Sequence, residues 1–542
     1  MKKIHFKFVK SVLAASLFAF SSYTMGAIIP EGTVLAEEQV FRFNNSSDPT
    51  TIDPQKAEES SANVVVKQLF ETLVISDRKG NLLPGAAVKW EHSEDYKTWT
   101  FYLRPEAKWS NGDPVTAEDF VFAFQRLADP KTAATYASYL EYLKLDNAND
   151  VIAGKKTLSE LGVKALDEHT LQLTLSESVP YADKLTEHYV LAPVNKKVVE
   201  QYGDKWTDVK NIVGNGAFKI TNWVVNEKIE LVPNPYYWDN ANTVLTKIVL
   251  YSIVSENASY TRYRANEVDV SSFPSELRHK VKKELPNEVH VAPALGTYYY
   301  EFNNAVAPMN NKDVRQALSL ALDRRIITDK VLGNGQIPAY FFTPSYISGA
   351  EKMQAPEWAN WTQAQRNQKA IELLKQAGYS KQNPLRFDLL YNTSEGHKAI
   401  AIAVASMWKK NTKNLVDVTL SNQEWKTFLD TKNSGNYTVA RAGWIADYNE
   451  ATTFLNIFLS DSTNNASNWK NASFDDAISQ SFLAKTEEER QEAYAKAEKI
   501  LSDDFATLPI YWYASVRLIK PYVKGYAFGH PSGGLYFKDV YL

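Results

Sequence analysis

The sequence of 542 residues contains no cysteine. This absence excludes disulfide bonds, catalysis by a cysteine thiolate and zinc sites built on cysteine ligands. A lipid anchor on a secreted chain would be attached to a cysteine at the start of the mature protein. We therefore expect a protein without a lipid anchor.

Long hydrophobic runs are also absent after the N-terminal segment, so no membrane-spanning helix is predicted there. The segment itself has four lysines within its first ten residues, then the short apolar run SVLAASLFAF, then small and polar residues. This order is typical of a cleavable secretory signal. We predict a signal peptide over residues 1–26, a mature chain that begins near Ala27 or Ile28, and a periplasmic location.

An excess of positive charge is missing as well. The chain has 60 lysine and arginine residues against 63 aspartate and glutamate residues. A nucleic-acid-binding protein normally has the opposite balance, so no nucleic-acid partner is expected. Aromatic residues, by contrast, make up 13% of the chain. Most of them should fill hydrophobic cores, although large rings are also favoured where a protein holds a ligand.

Motifs of known enzyme classes are absent too. There is no Gly-x-Ser-x-Gly elbow and no His-Glu-x-x-His zinc motif. The eight histidines are scattered without metal-ligand spacing, and each is expected at the surface or in a satisfied core position. We therefore predict a protein that is not an enzyme and that has no metal site and no cofactor.

Helix and strand patterns alternate along the chain, which indicates α/β or α+β lobes. Capping patterns mark three helix starts, at Thr116 with Asp119, Thr362 with Gln365 and Thr486 with Glu489. Apolar residues at helical spacing predict a further helix over 314–322. Strands are predicted over 99–103, 170–174, 247–251 and 437–440.

One stretch is chemically dense: residues 437–455 read YTVARAGWIADYNEATTFL. A strand-like run leads into Arg441, Gly443, Trp444 and Asp447. A cation, a large ring and a carboxylate thus lie within seven residues, beside a glycine that lets another backbone come close. The two charged ends and the backbone of a peptide could all find partners there. The alternative, a charged turn beside a buried tryptophan, is the commoner structure for such residues.

Short motifs spread over the chain carry a family resemblance. They are IDP at 52–54, FYLR at 101–104, AKWSNGDPVTA at 107–117, VGNGA at 213–217, NPYYW at 234–238, TYYYE at 297–301, VR at 314–315 with DR at 323–324, YNT at 391–393, NQEW at 422–425 and WIADYN at 444–449. Each is weak alone, but their order and number are specific. Over essentially its full mature length the chain resembles the periplasmic oligopeptide-binding proteins of peptide ABC importers.

The resemblance implies an α/β, two-lobed periplasmic binding protein of the cluster C type, with an additional third domain and with the ligand cleft between the lobes. The expected first lobe consists of residues 27–70, 196–295 and 515–542, the additional domain of 71–195, and the second lobe of 296–514. The peptide is expected to lie extended between the lobes as an added strand, with its side chains in roomy, hydrated pockets.

The resemblance also implies a set of ligand-contacting residues. Asp447 should pair with the ammonium group of the peptide N-terminus, and Arg441 and His397 should meet the C-terminal carboxylate of peptides of different length. The positions that match pocket-lining residues of the family are Glu58, Tyr136, Trp425, Gly443, Trp444 and Tyr513, and Glu301 matches a polar pocket wall.

The chain departs from the family at several of these positions. Enteric members carry a disulfide at the positions of Gly296 and Ile445, and both cysteines are absent here. Ile445 is therefore expected to place a branched apolar side chain beside the ligand. A pocket arginine of the family is replaced by Lys432.

The function that the resemblance implies is the periplasmic substrate-binding component of an oligopeptide ABC transporter. Such a protein binds short peptides with low sequence selectivity and delivers them to an inner-membrane permease complex; we expect a monomer. One alternative is a receptor for murein tripeptide, because close relatives share the motifs around Trp425 and Asp447. Another is a periplasmic holdase for unfolded chains. A peptidase is not expected, since neither a nucleophile–base pair nor a set of metal ligands is evident.

Overall fold

The structure of the protein is a computed structural model that describes residues 27, 29–77, 80–530 and 535–542. The predicted signal peptide over 1–26 lies outside the described residues. The described part of the chain is a mixed α/β structure with 17 strands and 15 α-helices. None of its helices is long and apolar enough to cross a membrane.

The strands follow the chain in this order: β1 (Val40–Asn44), β2 (Val74–Ser76), β3 (Leu82–Pro84), β4 (Ala87–His92), β5 (Thr98–Leu103), β6 (Val163–Asp167), β7 (Thr170–Thr174), β8 (Phe218–Val224), β9 (Lys228–Pro233), β10 (Lys247–Tyr251), β11 (Val270–Ser271), β12 (Val289–Phe302), β13 (Ile337–Pro338), β14 (Leu385–Asn392), β15 (Val416–Gln423), β16 (Val439–Ile445) and β17 (Thr507–Ile519).

The α-helices are α1 (Ser60–Leu69), α2 (Ala117–Ala128), α3 (Tyr139–Tyr142), α4 (Ala148–Ile152), α5 (Ala182–Leu185), α6 (Lys196–Tyr202), α7 (Glu256–Arg264), α8 (Arg278–Glu284), α9 (Lys312–Leu320), α10 (Gln363–Gln376), α11 (Glu395–Asn411), α12 (Trp425–Asn433), α13 (Thr452–Leu455), α14 (Ala472–Leu483) and α15 (Glu487–Asp503).

One large sheet runs through the molecule in the order β15-β14-β16-β12-β17-β11-β1-β10-β9-β8, with β13 attached to β17. In one half, β1 pairs in parallel with β10 and β11. In the other half, β14 pairs in parallel with β15 and β16. Parallel neighbours need crossover connections, which explains the alternation of strands and helices in the sequence.

The long antiparallel strands β12 and β17 join the two halves, and their pairing is interrupted near the middle. Pro293 pairs with Ala514, whereas the next pair is Thr297 with Trp512, so three residues of β12 face a single residue of β17. Such a bulge bends a two-stranded ribbon and increases its twist. The predicted lobe boundaries, 295/296 and 514/515, fall at this interruption and stay a prediction.

Residues 71–195 contain a separate antiparallel sheet in the order β4-β5-β7-β6, together with the strand pair β2–β3. Strand β5 alternates between buried and half-buried side chains, and its buried residues Trp99 and Phe101 share one core cluster with Phe120 and Phe124 of α2. The same cluster continues around β1, α1, β8 and β10 and into the region of α13 to α15. A second large cluster lies around β12, β14, α9 and α11.

The helix starts predicted from capping patterns are confirmed. Thr116, Thr362 and Thr486 are the N-caps of α2, α10 and α15, and each forms a reciprocal capping box with the residue three positions later. The helix predicted over 314–322 is α9, which begins two residues earlier because Asn311 caps it by accepting from the N–H of Asp313.

Three of the predicted strands are confirmed as β5, β7 and β10, and the fourth was placed wrongly. The strand predicted over 437–440 is β16, which begins at Val439 and continues to Ile445. Its second part contains Arg441 and Gly443, which do not have a strand-like pattern. These residues are extended because each of them pairs with β12.

Candidate functional site

Strand β16 has one backbone edge that is largely unpaired. On one side β12 covers it completely, from Val439 opposite Phe302 to Ile445 opposite Gly296. On the other side β14 pairs only with Val439 and Ala440. Among the described residues no strand covers the second edge of 441–445, so a further strand can pair there.

Gly443 lies in the middle of this edge and is exposed. A Cβ atom added to Gly443 would lie 2.6 Å from the hydroxyl oxygen of Tyr513 and 3.0 Å from Nη2 of Arg441. Any larger residue at position 443 would collide with the side chains of Arg441 and Tyr513, which meet above the strand at this point. The same absence of a side chain keeps the backbone accessible.

Asp447 lies just beyond the end of β16, and its side chain is 9% exposed. Its Oδ1 is 3.1 Å from Nε2 of His188, which comes from the segment between α5 and α6. Because Nδ1 of His188 accepts from the N–H of Val190, Nε2 carries the hydrogen and donates to Asp447. Oδ2 of Asp447 is buried and has no hydrogen-bond partner among the described residues. The carboxylate thus keeps one oxygen for a further donor, since a buried acceptor without a partner is costly.

Aromatic rings enclose the Asp447–His188 pair. The ring of His188 stacks on Tyr136 and Tyr139, with centroid distances of 5.3 and 4.7 Å. Tyr136 stacks in turn on Trp444, at 5.9 Å and with 17° between the ring planes. The rings exclude water from the carboxylate, which strengthens its interaction with any cation that enters.

Arg441 is a half-buried cation near the other end of the edge. Its Nη2 donates to the hydroxyl of Tyr513 at 2.8 Å, its Nη1 lies 3.4 Å from Oδ1 of Asn392, and its guanidinium lies over the ring of Tyr298. Its Nε is buried without a partner. In the part of the chain that the structure describes, no carboxylate forms an ion pair with Arg441. The guanidinium can therefore accept an anionic ligand group.

His397 lies close to Arg441, in the first turn of α11. Its Nδ1 is 3.4 Å from the hydroxyl of Tyr298, over whose ring Arg441 is placed. Burial lowers the pKa of His397 well below its usual value, and the positive charge of Arg441 lowers it further. His397 is therefore a neutral hydrogen-bonding group near pH 7 unless an anion binds beside it.

Two carboxylates lie on the side of the site formed by α12. Glu58 accepts from Nδ2 of Asn433 at 3.1 Å, and burial raises its pKa. Glu301 is 2% exposed and is held by Nζ of Lys432 at 3.2 Å and by the hydroxyl of Tyr437 at 2.8 Å. Lys432, which replaces the family arginine, thus neutralises the predicted polar wall.

Trp425 is the first residue of α12 and stacks on Phe428, with ring centroids 5.9 Å apart. Its indole Nε1 is buried without a hydrogen-bond partner, as is Nε1 of Trp444. A buried indole N–H normally finds an acceptor. The structure does not place Trp425 in contact with Asp447 or Arg441.

Gly296 and Ile445 are direct cross-strand partners of β12 and β16. A Cβ atom added to Gly296 would lie 2.5 Å from Cδ1 of Ile445 and 2.8 Å from Cδ2 of Tyr513. The isoleucine side chain therefore occupies the volume that a second side chain would need. The two departures from the family pattern compensate each other in volume.

The structure thus brings Tyr136, Trp444 and Asp447 together at one end, and Arg441, Tyr513 and His397 at the other. Sequence analysis missed His188, Asn392 and Asn433. His188 was expected to be an ordinary surface or core histidine, because nothing in its neighbourhood in the chain points to Asp447. Only the packing of residues 71–195 against the end of β16 brings the two side chains together. In the described part of the chain, no group of three or more His, Asp or Glu side chains is placed to hold a metal ion.

Residues 81–466 match the family model for bacterial extracellular solute-binding proteins, family 5 Middle. The chain belongs to this family. As a family 5 solute-binding protein it is a transport receptor and not an enzyme. It is 51% identical to the periplasmic oligopeptide-binding protein OppA of Haemophilus influenzae, over 98% of this chain and 99% of that protein. It is 44% identical to the periplasmic murein peptide-binding protein MppA of Escherichia coli, over 98% and 99%.

Solved structures of both relatives superpose closely on this family 5 protein. The crystal structure of H. influenzae OppA in complex with RPPGFSPFR has a TM-score of 0.93 at 52% identity and covers 94% of this chain and 100% of that chain. The structure of E. coli MppA has a TM-score of 0.92 and covers 94% of this chain and 99% of the MppA chain. The predicted fold class is thereby confirmed. The unliganded open form of MppA covers 95% of this chain and 99% of the MppA chain at the same 44% identity, but its TM-score is only 0.67.

Proposed function

We propose that this protein is the periplasmic substrate-binding component of an oligopeptide ABC transporter, which binds short peptides and delivers them to an inner-membrane permease complex as a monomer. The observation that carries the proposal is the open edge of β16 between two groups of opposite charge, the half-buried Arg441 and the buried carboxylate of Asp447. A peptide that adds to this edge gains main-chain hydrogen bonds whatever its side chains are. The proposal is supported by the similarity to H. influenzae OppA, which is named as a periplasmic oligopeptide-binding protein and whose structure contains a peptide.

The length of the edge suggests which peptides fit. Five extended residues, 441–445, span roughly 13 Å at about 3.3 Å per residue, and the side chains at either end add reach. The span suits peptides of about three to five residues. Arg441 would hold the carboxylate of one length class and His397 that of another.

The N-terminal ammonium group of the peptide would donate to Oδ2 of Asp447, while His188 stays on Oδ1. The ammonium is the charged partner that the buried carboxylate requires, since His188 donates in its neutral form. Glu58, Tyr136, Trp425, Trp444, Ile445 and Tyr513 would line the side-chain pockets, with Glu301 as a polar wall neutralised by Lys432. Because the charge of Glu301 is paired within the wall by Lys432, this wall would select weakly among the side chains of the peptide.

Closure of the two lobes would trap the peptide. The large difference between the TM-scores for MppA and for its open form supports a closed arrangement of this chain. We place the hinge at the bulge between β12 and β17, where the proposed boundaries of the lobes fall. Two strands that cross between lobes at a bulge can bend there.

Isothermal titration calorimetry with tri- to pentapeptides of mixed sequence tests the proposal. N-acetylation removes the ammonium group and leaves Asp447 buried without its cation, so we expect a loss in affinity of about 100-fold or more. Asp447→Asn should lower the affinity for free peptides and leave that for acetylated ones unchanged. Asp461→Asn, at an exposed aspartate, is the matched control. Equal binding of free and acetylated peptides by the wild-type protein would contradict the role of Asp447.

A second candidate cargo is murein tripeptide, because MppA, which is named for murein peptide, superposes with a TM-score of 0.92. Native mass spectrometry of the protein as isolated distinguishes the two. A spread of peptide masses supports a general receptor, whereas one mass with the unusual residues of murein supports the second candidate. Binding of unfolded chains with both ends blocked would instead indicate a holdase.

A further inference from the structure

The C-terminal end of the proposed groove has a contact of its own between the lobes. Glu395, the first residue of α11, accepts from the hydroxyl of Ser255 at 2.7 Å and from the backbone N–H of Glu256 at 2.8 Å. Nδ2 of Asn257 lies 3.4 Å from the same carboxylate. Ser255 is the N-cap of α7, so a carboxylate of the second lobe satisfies donors at a helix start of the first lobe.

The position of Glu395 connects this contact to the ligand site. It lies on the same first turn of α11 as His397, which is two residues further on. Asn392, three residues before it, lies against Arg441. The residues that would meet the peptide carboxylate are thus on the segment that Glu395 attaches to the other lobe.

A second carboxylate lies at the same contact. A Cβ atom added to Gly396 would lie 3.3 Å from Oε1 of Glu256, so the carboxylate of Glu256 lies close to the first turn of α11. Glycine at 396 permits this approach.

We propose that Glu395 is the residue that latches the C-terminal end of the cleft: its carboxylate, by binding the first turn of α7, holds α11 and His397 in the closed arrangement. This latch rests on the proposed function, in which closure traps a peptide. The Asp447–His188 contact would have the same role at the opposite end of the groove. The latch forms between protein groups alone, so it acts on peptides of any sequence.

The charges around Glu256 make the latch sensitive to pH. Burial, together with the negative charges of Glu395 and Glu276, raises the pKa of Glu256 to about 7. The pKa of Glu395 is lowered, because the hydrogen bonds from Ser255 and Glu256 outweigh the effect of its burial. Glu256 therefore takes up a proton when the cleft closes near neutral pH, while Glu395 keeps its charge. Lowering the pH from 8 to 6 favours the closed arrangement.

A pair of fluorescent dyes on the two lobes tests the latch directly. The chain has no native cysteine, so Val225→Cys and Leu483→Cys, at two strongly exposed positions, give specific labelling sites. We expect Glu395→Gln to lower the closed fraction and to raise the dissociation rate of a bound tripeptide about five- to thirtyfold, with a much smaller change in the association rate. Energy transfer without peptide reports on closure even if the ligand proves to be another molecule, so failure of the latch and failure of the proposed function are distinguishable.

Glu489→Gln is the matched control, because Glu489 is also a carboxylate at a helix start but accepts only from Lys485 and Thr486 of its own lobe. Ser255→Ala weakens the latch from the other side, and its effect should not add to that of Glu395→Gln. It also keeps the test valid if one variant folds poorly. Unchanged energy transfer in both Glu395→Gln and Ser255→Ala would overturn the proposal, whatever happens to affinity.

The pH arm uses Glu256→Gln. In the wild-type protein the closed fraction should rise about three- to tenfold relative to the open fraction between pH 8 and pH 6. Glu256→Gln should remove most of this rise and leave the protein more closed at pH 8. A wild-type closed fraction that is flat over this range would refute the pH dependence of the latch.

Discussion

At the scale of single residues, the site is defined by two largely shielded charges that lack a charged partner among the described residues. Arg441 has hydroxyl, amide and ring contacts but no carboxylate in the described residues, and Asp447 has only the neutral imidazole of His188. Glu301 differs, since Lys432 pairs with it. A buried charge without a partner is destabilising, and in the proposed function the two ends of the peptide would supply the missing partners of Arg441 and Asp447.

Arg441 is tested with peptides that end in a carboxylate or in an amide. We expect Arg441→Gln to weaken binding of the free acid about 10- to 100-fold and to leave binding of the amide almost unchanged, because only the acid uses the guanidinium. The peptide should have the length at which amidation costs the wild-type protein most affinity. Calorimetry measures both constants, with Arg386→Gln, at an exposed arginine of β14, as the control. An equal loss for acid and amide would mean that Arg441 acts only through packing.

At the scale of secondary structure elements, β16 is the decisive element. It is a central strand along its first residues and an edge strand along 441–445, because β14 stops pairing after Ala440. The glycine in this second part serves the neighbouring contact between Arg441 and Tyr513 as well as the open backbone. A change of one methyl group at Gly443 should therefore disturb the ligand site far more than the fold.

We expect Gly443→Ala to lower peptide affinity at least tenfold, since the new methyl group would lie 2.6 Å from the hydroxyl oxygen of Tyr513 and force the ring away. The thermal midpoint should change little. Combining Gly443→Ala with Tyr513→Phe removes the clashing oxygen, so the double variant should bind peptide better than Gly443→Ala alone. Calorimetry and thermal unfolding of all four proteins measure this coupling. Strictly additive losses would contradict the steric explanation.

At the scale of the whole molecule, segments far apart in the chain meet in buried polar contacts. The backbone of Leu542 both donates to and accepts from the side-chain amide of Gln39, which ties the C-terminal residue to the segment before β1. His530 is buried against Ser76, whose hydroxyl also contacts Glu187. This network includes Glu187, the neighbour of His188 in the chain, and links the C-terminal region to residues 71–195.

The buried His530 should make the protein acid-labile. Burial lowers the pKa of His530 to about 4. As the pH falls below 6.5, this histidine therefore binds a proton in the unfolded chain but stays neutral in the folded protein until the pH approaches 4. Its contribution to folding stability is complete above pH 6.5, and we expect a loss of about 2 to 3 kcal/mol between pH 6.5 and 4. Chemical denaturation of the wild type and of His530→Gln at pH 7, 5.5 and 4.5 should show a difference in stability that shrinks with acidity. His279→Gln, at an exposed histidine, is the control, and a constant difference between wild type and His530→Gln would refute this.

The sequence by itself determined the local structure and the family. Capping residues located α2, α10 and α15, strand-like runs located β5, β7 and β10, and the ordered motifs pointed to a two-lobed peptide receptor. These signals are readable because hydrogen bonds within a helix start and side-chain periodicity involve residues close in the chain. The segment from Arg441 to Asp447 was selected for the same reason, because its charged groups lie next to one another in sequence.

Only the tertiary structure decided how these parts work together. The extension of β16 to Ile445 depends on pairing with β12, and the exact fit of Ile445 over Gly296 depends on their register. The donor on Asp447 and the latch at Glu395 come from segments far away in the chain, which no local pattern connects to them. Contacts of this kind depend on how distant segments pack against one another, so they become visible only in the folded molecule.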